Sequence, residues 1–194
     1  MVPFDATAQQ QVVNIAAECG LAADAFKVDV DGGGDIYLIV KSRDLSDNKL
    51  SCLVTRERRE PYPIVIFERE QLTRRYVKIQ NNVGREESRR WLQRRGMLSS
   101  LPEFDPSSEN LDQFARRMEN YCGFQAGVVL RAISPNLLST QKSWSERALA
   151  GQATATDEQK FECLLKAIWA SNLGDHKIGF GFIGNEALAK PSKP

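Results

Sequence analysis

Cationic side chains are concentrated in residues 56–95, which hold 12 Lys or Arg and 6 Asp or Glu, although the whole chain has a net charge of only +1. Arginine forks bind phosphate oxygens in pairs, and such contacts give salt-dependent affinity for a nucleic-acid backbone. Glu86 precedes Arg89 and Arg90 by three and four residues, so ion pairs within a helix would neutralise part of this charge. The block predicts a non-enzymatic, nucleic-acid-associated protein whose phosphate contacts come from Arg74, Arg75, Lys78, Arg85, Arg89, Arg90, Arg94 and Arg95.

The same block has an alternative use as a docking surface for an acidic protein. Trp91 lies on a short predicted helix whose only other large apolar side chain is Leu92. Tryptophan and arginine are the residues that most often dominate protein–protein binding energy. The alternative hypothesis is therefore a protein-interaction module, or a subunit of a larger assembly, with Trp91 as the anchor.

A third hypothesis, a metal-dependent nuclease, comes from a set of carboxylates. Asp44 or Asp47, a predicted strand at 49–55, and Glu57 followed by Arg59 are similar in spacing to the acidic site of restriction-type nucleases. Arginine occupies the position where that pattern has lysine, and arginine does not transfer protons near neutral pH. This departure leaves the nuclease behind the other two hypotheses.

The sequence contains few residues that could build another metal site or a catalytic site. His176 is the only histidine, so a metal site with two histidines cannot be built within one chain. Its neighbour Asp175 would point the opposite way in a strand, which makes it a poor orienting group for a catalytic pair. The run DVDGGGD (29–35) lacks the glutamate of a calcium loop and predicts a hairpin turn instead. No cofactor and no metal is predicted, and a catalytic function is not favoured.

The four cysteines, Cys19, Cys52, Cys122 and Cys163, lie far apart among apolar neighbours and form no CxxC pair. This pattern predicts small core residues in a reducing, cytoplasmic setting. No apolar run approaches the roughly 20 residues that span a bilayer, so no membrane association is expected. No secretory signal is evident at the N-terminus.

The N-terminal third predicts one helix and four strands. The helix runs from Ala6 to Cys19, between a cap at Asp5 and a stop at Gly20. Strands are predicted at 26–31, 36–41, 49–55 and 63–67, and the turn chemistry between them favours an antiparallel meander.

The rest of the chain predicts helices with two further strands. Leu72, Tyr76, Ile79 and Val83 form one stripe of a helix at 69–82, which Gly84 separates from a second helix at 85–95. Helices are also expected from Asp105 to Cys122, around Trp144, and at 157–172 behind a capping box of Thr156 and Gln159, with Trp169 in the core. Strands are predicted at 126–133 and 178–182.

The last predicted strand, Gly179-Phe180-Gly181-Phe182, resembles the aromatic strand of RNA-recognition domains, but too few residues follow it to complete that fold. It is interpreted as the strand that closes the sheet, with the phenylalanines facing inward. The chain is thus predicted to be a single α+β domain, with an antiparallel sheet of five or six strands covered by four to six helices. Residues 1–68 carry the meander, 69–98 the basic segment and 99–190 the rest of the core, followed by a loose tail at 191–194. No internal repeat is visible.

Overall fold

The computed structural model describes residues 6–60 and 63–181 and confirms the α+β class. The described residues form six α-helices and two three-stranded sheets, so the prediction of one sheet with five or six strands is wrong. The chain divides into two compact units, residues 1–83 and 84–194. The single-domain organisation stays a prediction. None of the described helices is long and apolar enough to cross a membrane.

The elements are numbered along the chain. The first unit contains α1 (Ala6–Glu18), β1 (Phe26–Val30), β2 (Ile36–Val40), α2 (Asp47–Glu57) and β3 (Ile64–Phe67). Helix α3 (Glu70–Arg94) begins in the first unit and ends in the second. The second unit continues with α4 (Leu111–Tyr121), β4 (Leu130–Ser134), β5 (Leu137–Thr140), α5 (Lys142–Leu149), α6 (Ala155–Ala170) and β6 (Gly179–Gly181).

The sheet of the first unit has the order β1-β2-β3. Strands β1 and β2 pair antiparallel across the predicted hairpin, where Oδ1 of Asp31 accepts hydrogen bonds from the backbone N–H groups of Gly33 (2.9 Å) and Asp35 (3.0 Å). Strands β2 and β3 pair parallel, so the antiparallel meander is wrong beyond β2. Parallel neighbours need a crossover connection, and α2 lies in that connection.

Helix α2 replaces the strand predicted at 49–55. The side chain of Ser46 caps its first turn by accepting a hydrogen bond from the N–H of Lys49. Leu50, Leu53 and Val54 are its buried residues, and their spacing of three and four positions belongs to one face of a helix. Leu50 and Val54 lie four residues apart, a spacing that fits both the two-residue period of a strand and one turn of a helix. Their alternation with polar neighbours therefore suggested a strand.

Helix α3 is continuous through Gly84, where the sequence predicted a break. Its first half buries the predicted stripe, with Leu72 2% and Tyr76 4% exposed. Its second half is buried along Gly84, Ser88 and Leu92, which lie four residues apart on one side. Two of these three residues are small or polar, so the buried side of the second half carries little apolar signal in the sequence.

The sheet of the second unit has the order β4-β5-β6. Strand β4 begins four residues later than the strand predicted at 126–133 and ends one residue after it. Its antiparallel neighbour β5 was not predicted. Strand β6 pairs parallel with β5, and Phe180 packs against the core of this unit as predicted. Phe182 lies outside the described residues. Helix α4 begins at Leu111, with Asn110 as its N-cap, later than the predicted start at Asp105.

The four cysteines form two disulfides, Cys19–Cys52 and Cys122–Cys163, with Cα–Cα distances of 5.5 and 5.7 Å. Cys19, Cys122 and Cys163 are buried as predicted, but the four cysteines are paired and not the separate small residues that the sequence indicated. Disulfides persist in oxidising compartments and are rare in the cytosol. The cytoplasmic setting expected from the spacing of the cysteines stays a prediction.

The two units repeat one topology. Each has the order helix–strand–strand–helix–strand, with the first strand pair antiparallel and the second parallel. In each unit the first cysteine directly follows the first helix, α1 or α4. The second cysteine lies in the helix that precedes the last strand, α2 or α6. The second unit differs by the addition of α5.

Short traces of this repeat are present in the sequence. Gly20 and Gly123 directly follow the first cysteine of each unit, and both adopt a left-handed conformation, with φ of +73° and +77°. Lys49 and Lys160 lie three residues before the second cysteine of each unit. A methyl group on either glycine would lie 3.4–3.5 Å from Cε of the corresponding lysine. The repeated turn and lysine support a common architecture for the two units.

Candidate binding surface

Arg75 is engaged inside the first unit. Its guanidinium donates to Oδ1 of Asp47, to Oδ1 of Asp44 and to the main-chain oxygen of Leu45, each at 2.8 Å. The hydrogen bonds that Arg75 donates to Asp47 and Asp44 raise the pKa of Arg75 above its usual value. This arginine holds the loop before α2 against α3, and a phosphate would have to compete with two carboxylates for it.

Arg74 and Lys78, on the same half of α3, face solvent. Arg74 lies 2.7 Å from Glu70 one turn earlier, with the two side chains 77% and 79% exposed. An ion pair of this kind contributes little free energy because water screens it and both side chains lose freedom. Both cations therefore remain accessible to an anionic partner.

Arg85 and Arg89 are engaged inside the second unit. Arg85 forms a two-pronged contact with Asp175, at 3.1 and 3.0 Å, and this contact lowers the pKa of the Asp175 carboxyl. Arg89 donates through Nη1 to the main-chain oxygen of Ala170, the last residue of α6, at 3.3 Å. These two arginines thus attach the second half of α3 to the C-terminal end of α6.

Trp91 is held by two contacts. Its Nε1–H donates to Oε1 of Glu162 on α6 at 3.1 Å, and the guanidinium of Arg95 lies 3.6 Å from the ring centre. Arg90 and Arg94 are exposed beside it, and Arg90 donates to the main-chain oxygen of Glu86. We name the group Arg90, Trp91, Arg94 and Arg95 the Trp91–Arg95 surface.

Trp169, predicted to be a core residue, is 47% exposed. It lies seven residues after Glu162 on α6, which places both side chains on the same side of that helix. Because Glu162 binds Trp91, two partly exposed tryptophans lie along one side of α6. The sequence predicted that Trp169 is buried because it shares an apolar helix face with Leu165 and Ile168.

The carboxylates of the nuclease hypothesis have structural partners. Glu57 accepts hydrogen bonds from the hydroxyl of Tyr76 (2.7 Å), Nε2 of Gln80 (3.1 Å) and the N–H of Val65 (3.3 Å). Burial and the bond to Glu57 raise the pKa of the Tyr76 hydroxyl well above its usual value. Asp44 and Asp47 bind Arg75. The nuclease hypothesis also requires a strand at 49–55, and these residues belong to helix α2. Among the described residues, no three metal-ligating side chains are grouped to hold an ion.

His176 is exposed and ends a short 3-10 helix before β6. Its Nε2 lies 3.4 Å from Nδ2 of Asn172, and its ring meets that of Phe104 edge to face, with 5.6 Å between the ring centres. Asp175 lies in the same 3-10 helix, and not in the strand that the prediction assumed, and its carboxylate accepts hydrogen bonds from Arg85.

Two surface features were not predicted. A cleft of about 510 Å³ in the second unit is lined by Arg89, residues 98–103 and Arg117. In the first unit, Ile64 and Ile66 of β3 are 45% and 43% exposed. These two isoleucines alternate with the less exposed Val65 and Phe67, as in a half-exposed strand.

Comparison with known proteins adds no family assignment. Family models, curated proteins and solved structures give no match to this chain. The functional argument therefore rests on the contacts and charges of the two units.

Proposed function

We propose that the protein is a non-enzymatic protein-interaction module that docks an acidic partner on the Trp91–Arg95 surface. The observation that carries this proposal is the fixed, partly exposed position of Trp91, between the carboxylate of Glu162 and the guanidinium of Arg95. An aromatic side chain that is already ordered loses little conformational entropy on binding. Trp91 is thus suited to be the anchor of an interface.

The charge around Trp91 supports an acidic partner. Arg90, Arg94 and Arg95 are exposed, and none of them forms an ion pair with a carboxylate of the described residues. Cations at the rim of an interface speed association and select partners of opposite charge. Trp169 adds exposed aromatic area to the same side of α6.

A protein partner is favoured over nucleic acid by two observations. Arg75 and Arg85 are engaged with carboxylates, which reduces the charge available to a phosphate backbone. The two disulfides favour an oxidising compartment, and we place the interaction there.

The test is affinity capture from the source cells with wild-type protein, Trp91→Ala and the control Arg116→Ala. Arg116 is exposed on α4 and is not a member of the Trp91–Arg95 surface. We expect an acidic protein that co-purifies stoichiometrically with wild type and Arg116→Ala and is lost with Trp91→Ala. Equal recovery with all three proteins would contradict this proposal.

The second candidate is phosphate-backbone binding, which five exposed cations favour. In this hypothesis the contacts come from the accessible members of the predicted set, which are Arg74, Lys78, Arg90, Arg94 and Arg95. Affinity for duplex DNA or RNA should fall steeply between about 50 and 200 mM salt, with a logarithmic slope of about −0.9 per duplex phosphate contacted.

Glutamine substitutions separate the accessible from the engaged arginines. Arg94→Gln should reduce the salt slope by about one contact, whereas Arg75→Gln should leave the slope unchanged because Arg75 already binds Asp44 and Asp47. Absence of salt-sensitive binding at about 50 mM salt would exclude this second candidate.

A further inference from the structure

We propose that the cleft lined by Arg89 binds a small oxyanion, a carboxylate or a phosphate. The cleft has a volume of about 510 Å³ and lies entirely within the second unit. The cleft is shallow and largely open to solvent, so only a small ligand would be mostly covered there. The site is separate from the Trp91–Arg95 surface and does not depend on the proposed function.

The first argument is the unbalanced charge of Arg89. Its guanidinium is half-buried, and its only hydrogen bond to the described residues is the 3.3 Å contact with the oxygen of Ala170. No carboxylate of the described residues lies within ion-pair distance of it. A partly buried cation without a counter-ion is unfavourable, and the remaining N–H groups of Arg89 are free to receive an anion.

The second argument is the contrast with Arg117, the other arginine of the cleft. Arg117 donates to both carboxylate oxygens of Glu109, at 3.0 and 2.5 Å, and to the main-chain oxygen of Glu103 at 2.7 Å. Its charge is therefore balanced by Glu109, and its guanidinium is held in place at the side of the cleft. Arg89 is left as the cation that determines which ligand binds.

The other walls limit the ligand chemistry. Leu98, Leu101, Pro102, Ser99 and Ser100 line the cleft, but its exposed lining is mainly polar. The hydroxyl of Ser100 already donates to the main-chain oxygen of Met97 at 3.1 Å. The carboxylate of Glu103 also lines the cleft and opposes a large negative charge. This combination favours a small, singly charged ligand with one oxyanion group.

The test is a titration of the full chain, with its disulfides intact, against benzoate and against inorganic phosphate, followed by amide NMR shifts. We expect saturable shifts at 98–103 with both probes, and tighter binding of the singly charged benzoate because Glu103 opposes the larger charge of phosphate. Tighter binding of phosphate would instead identify a phosphorylated ligand. Absence of saturable shifts with both probes would overturn the proposal.

Variants of neighbouring arginines supply the controls. Arg89→Gln should weaken binding about tenfold or more, since a charge-assisted hydrogen bond is lost. Arg90→Gln, on the same helix but outside the cleft, should bind as wild type. Arg89→Lys keeps the charge without the fork and should give intermediate affinity if Arg89→Gln does not fold. Equal affinity of wild type and either Arg89 variant would contradict the assignment.

Discussion

At the scale of single residues, the carboxylate of Glu119 shows how buried charge is used in this protein. Glu119 is completely buried at the end of α4 and accepts hydrogen bonds from the backbone N–H groups of Gly127, Val129 (2.5 Å) and Leu130 (2.8 Å). These bonds satisfy the backbone of the loop that leads into β4. The side chain therefore has a structural role in the second unit.

Replacing Glu119 should be costly because three backbone donors would lose their acceptor in the core. We expect Glu119→Ala to lower the free energy of unfolding by about 3 kcal/mol, measured by chemical denaturation. The control is Glu158→Ala, an exposed glutamate of α6, which should change stability by less than about 0.5 kcal/mol. Similar losses in the two variants would show that Glu119 does not organise the loop.

Asp31 gives a prediction about pH at the same scale. Hydrogen bonds from the N–H of Asp35 and from the hydroxyl of Tyr37 lower the pKa of Asp31, so its stabilising contribution is present above about pH 4 and is lost as the pH falls through the lowered value. Tyr37→Phe removes the 3.0 Å bond and should raise the Asp31 midpoint in a carboxyl NMR titration. The midpoint of Asp105, whose bonds come from Ser107 and Ser108, should not move. An unchanged Asp31 midpoint would contradict the assignment of the Tyr37 bond.

At the scale of elements, the start of α6 depends on one capping box. Oγ1 of Thr154 accepts from the N–H of Asp157 at 3.2 Å, and Oδ2 of Asp157 accepts from the N–H of Thr154 at 3.1 Å. The sequence predicted the same motif two residues later, at Thr156 and Gln159. Both threonines precede a side chain of suitable type, and only the backbone geometry distinguishes them.

The two threonines form a matched pair for mutation. Thr154→Ala should lower the free energy of unfolding by about 1 kcal/mol, because an N-cap is lost. Thr156→Ala, exposed within the first turns of α6, should have little effect or stabilise slightly, since alanine favours helix. Thermal or urea denaturation followed by circular dichroism measures both. A larger loss for Thr156→Ala would place the cap where the sequence suggested.

The elements also show which parts of the fold were predictable. The stripe of Leu72 and Tyr76 identified the first half of α3 because large apolar residues recur there at helical spacing. The second half was misjudged because it is buried through Gly84 and Ser88, which carry no hydrophobic signal. Leu50, Leu53 and Val54 fit helical spacing, but the alternation of apolar and polar residues at 49–55 predicted a strand instead.

The candidate sites were less predictable than the elements. The basic block showed which arginines exist, but not that Asp44 and Asp175, 31 and 90 residues distant from their partners, engage Arg75 and Arg85. The cleft at Arg89 depends on Arg117 and the loop at 98–103, which come together only in the folded unit. Contacts between residues so far apart in sequence leave no periodic pattern.

At the scale of the whole molecule, the chain consists of two units with one topology, each closed by a disulfide at the same place. The paired cysteines lie 33 residues apart in the first unit and 41 in the second, which also contains α5. Because the two spacings differ, the repeat was not visible in the sequence. Each disulfide joins the end of the first helix to the helix that precedes the parallel strand. Closing a loop of this length stabilises a fold by about 3–4 kcal/mol in the chain-entropy model.

Disulfide mapping tests the repeated, disulfide-closed architecture most directly. The protein is isolated from its source cells without reductant, alkylated, digested and analysed by mass spectrometry. We expect two linked peptide pairs, Cys19 with Cys52 and Cys122 with Cys163, and no alkylated cysteine. Four alkylated cysteines would contradict the oxidising compartment in which we place the interaction. A link between Cys19 and Cys122 would contradict the closure of each unit by its own disulfide.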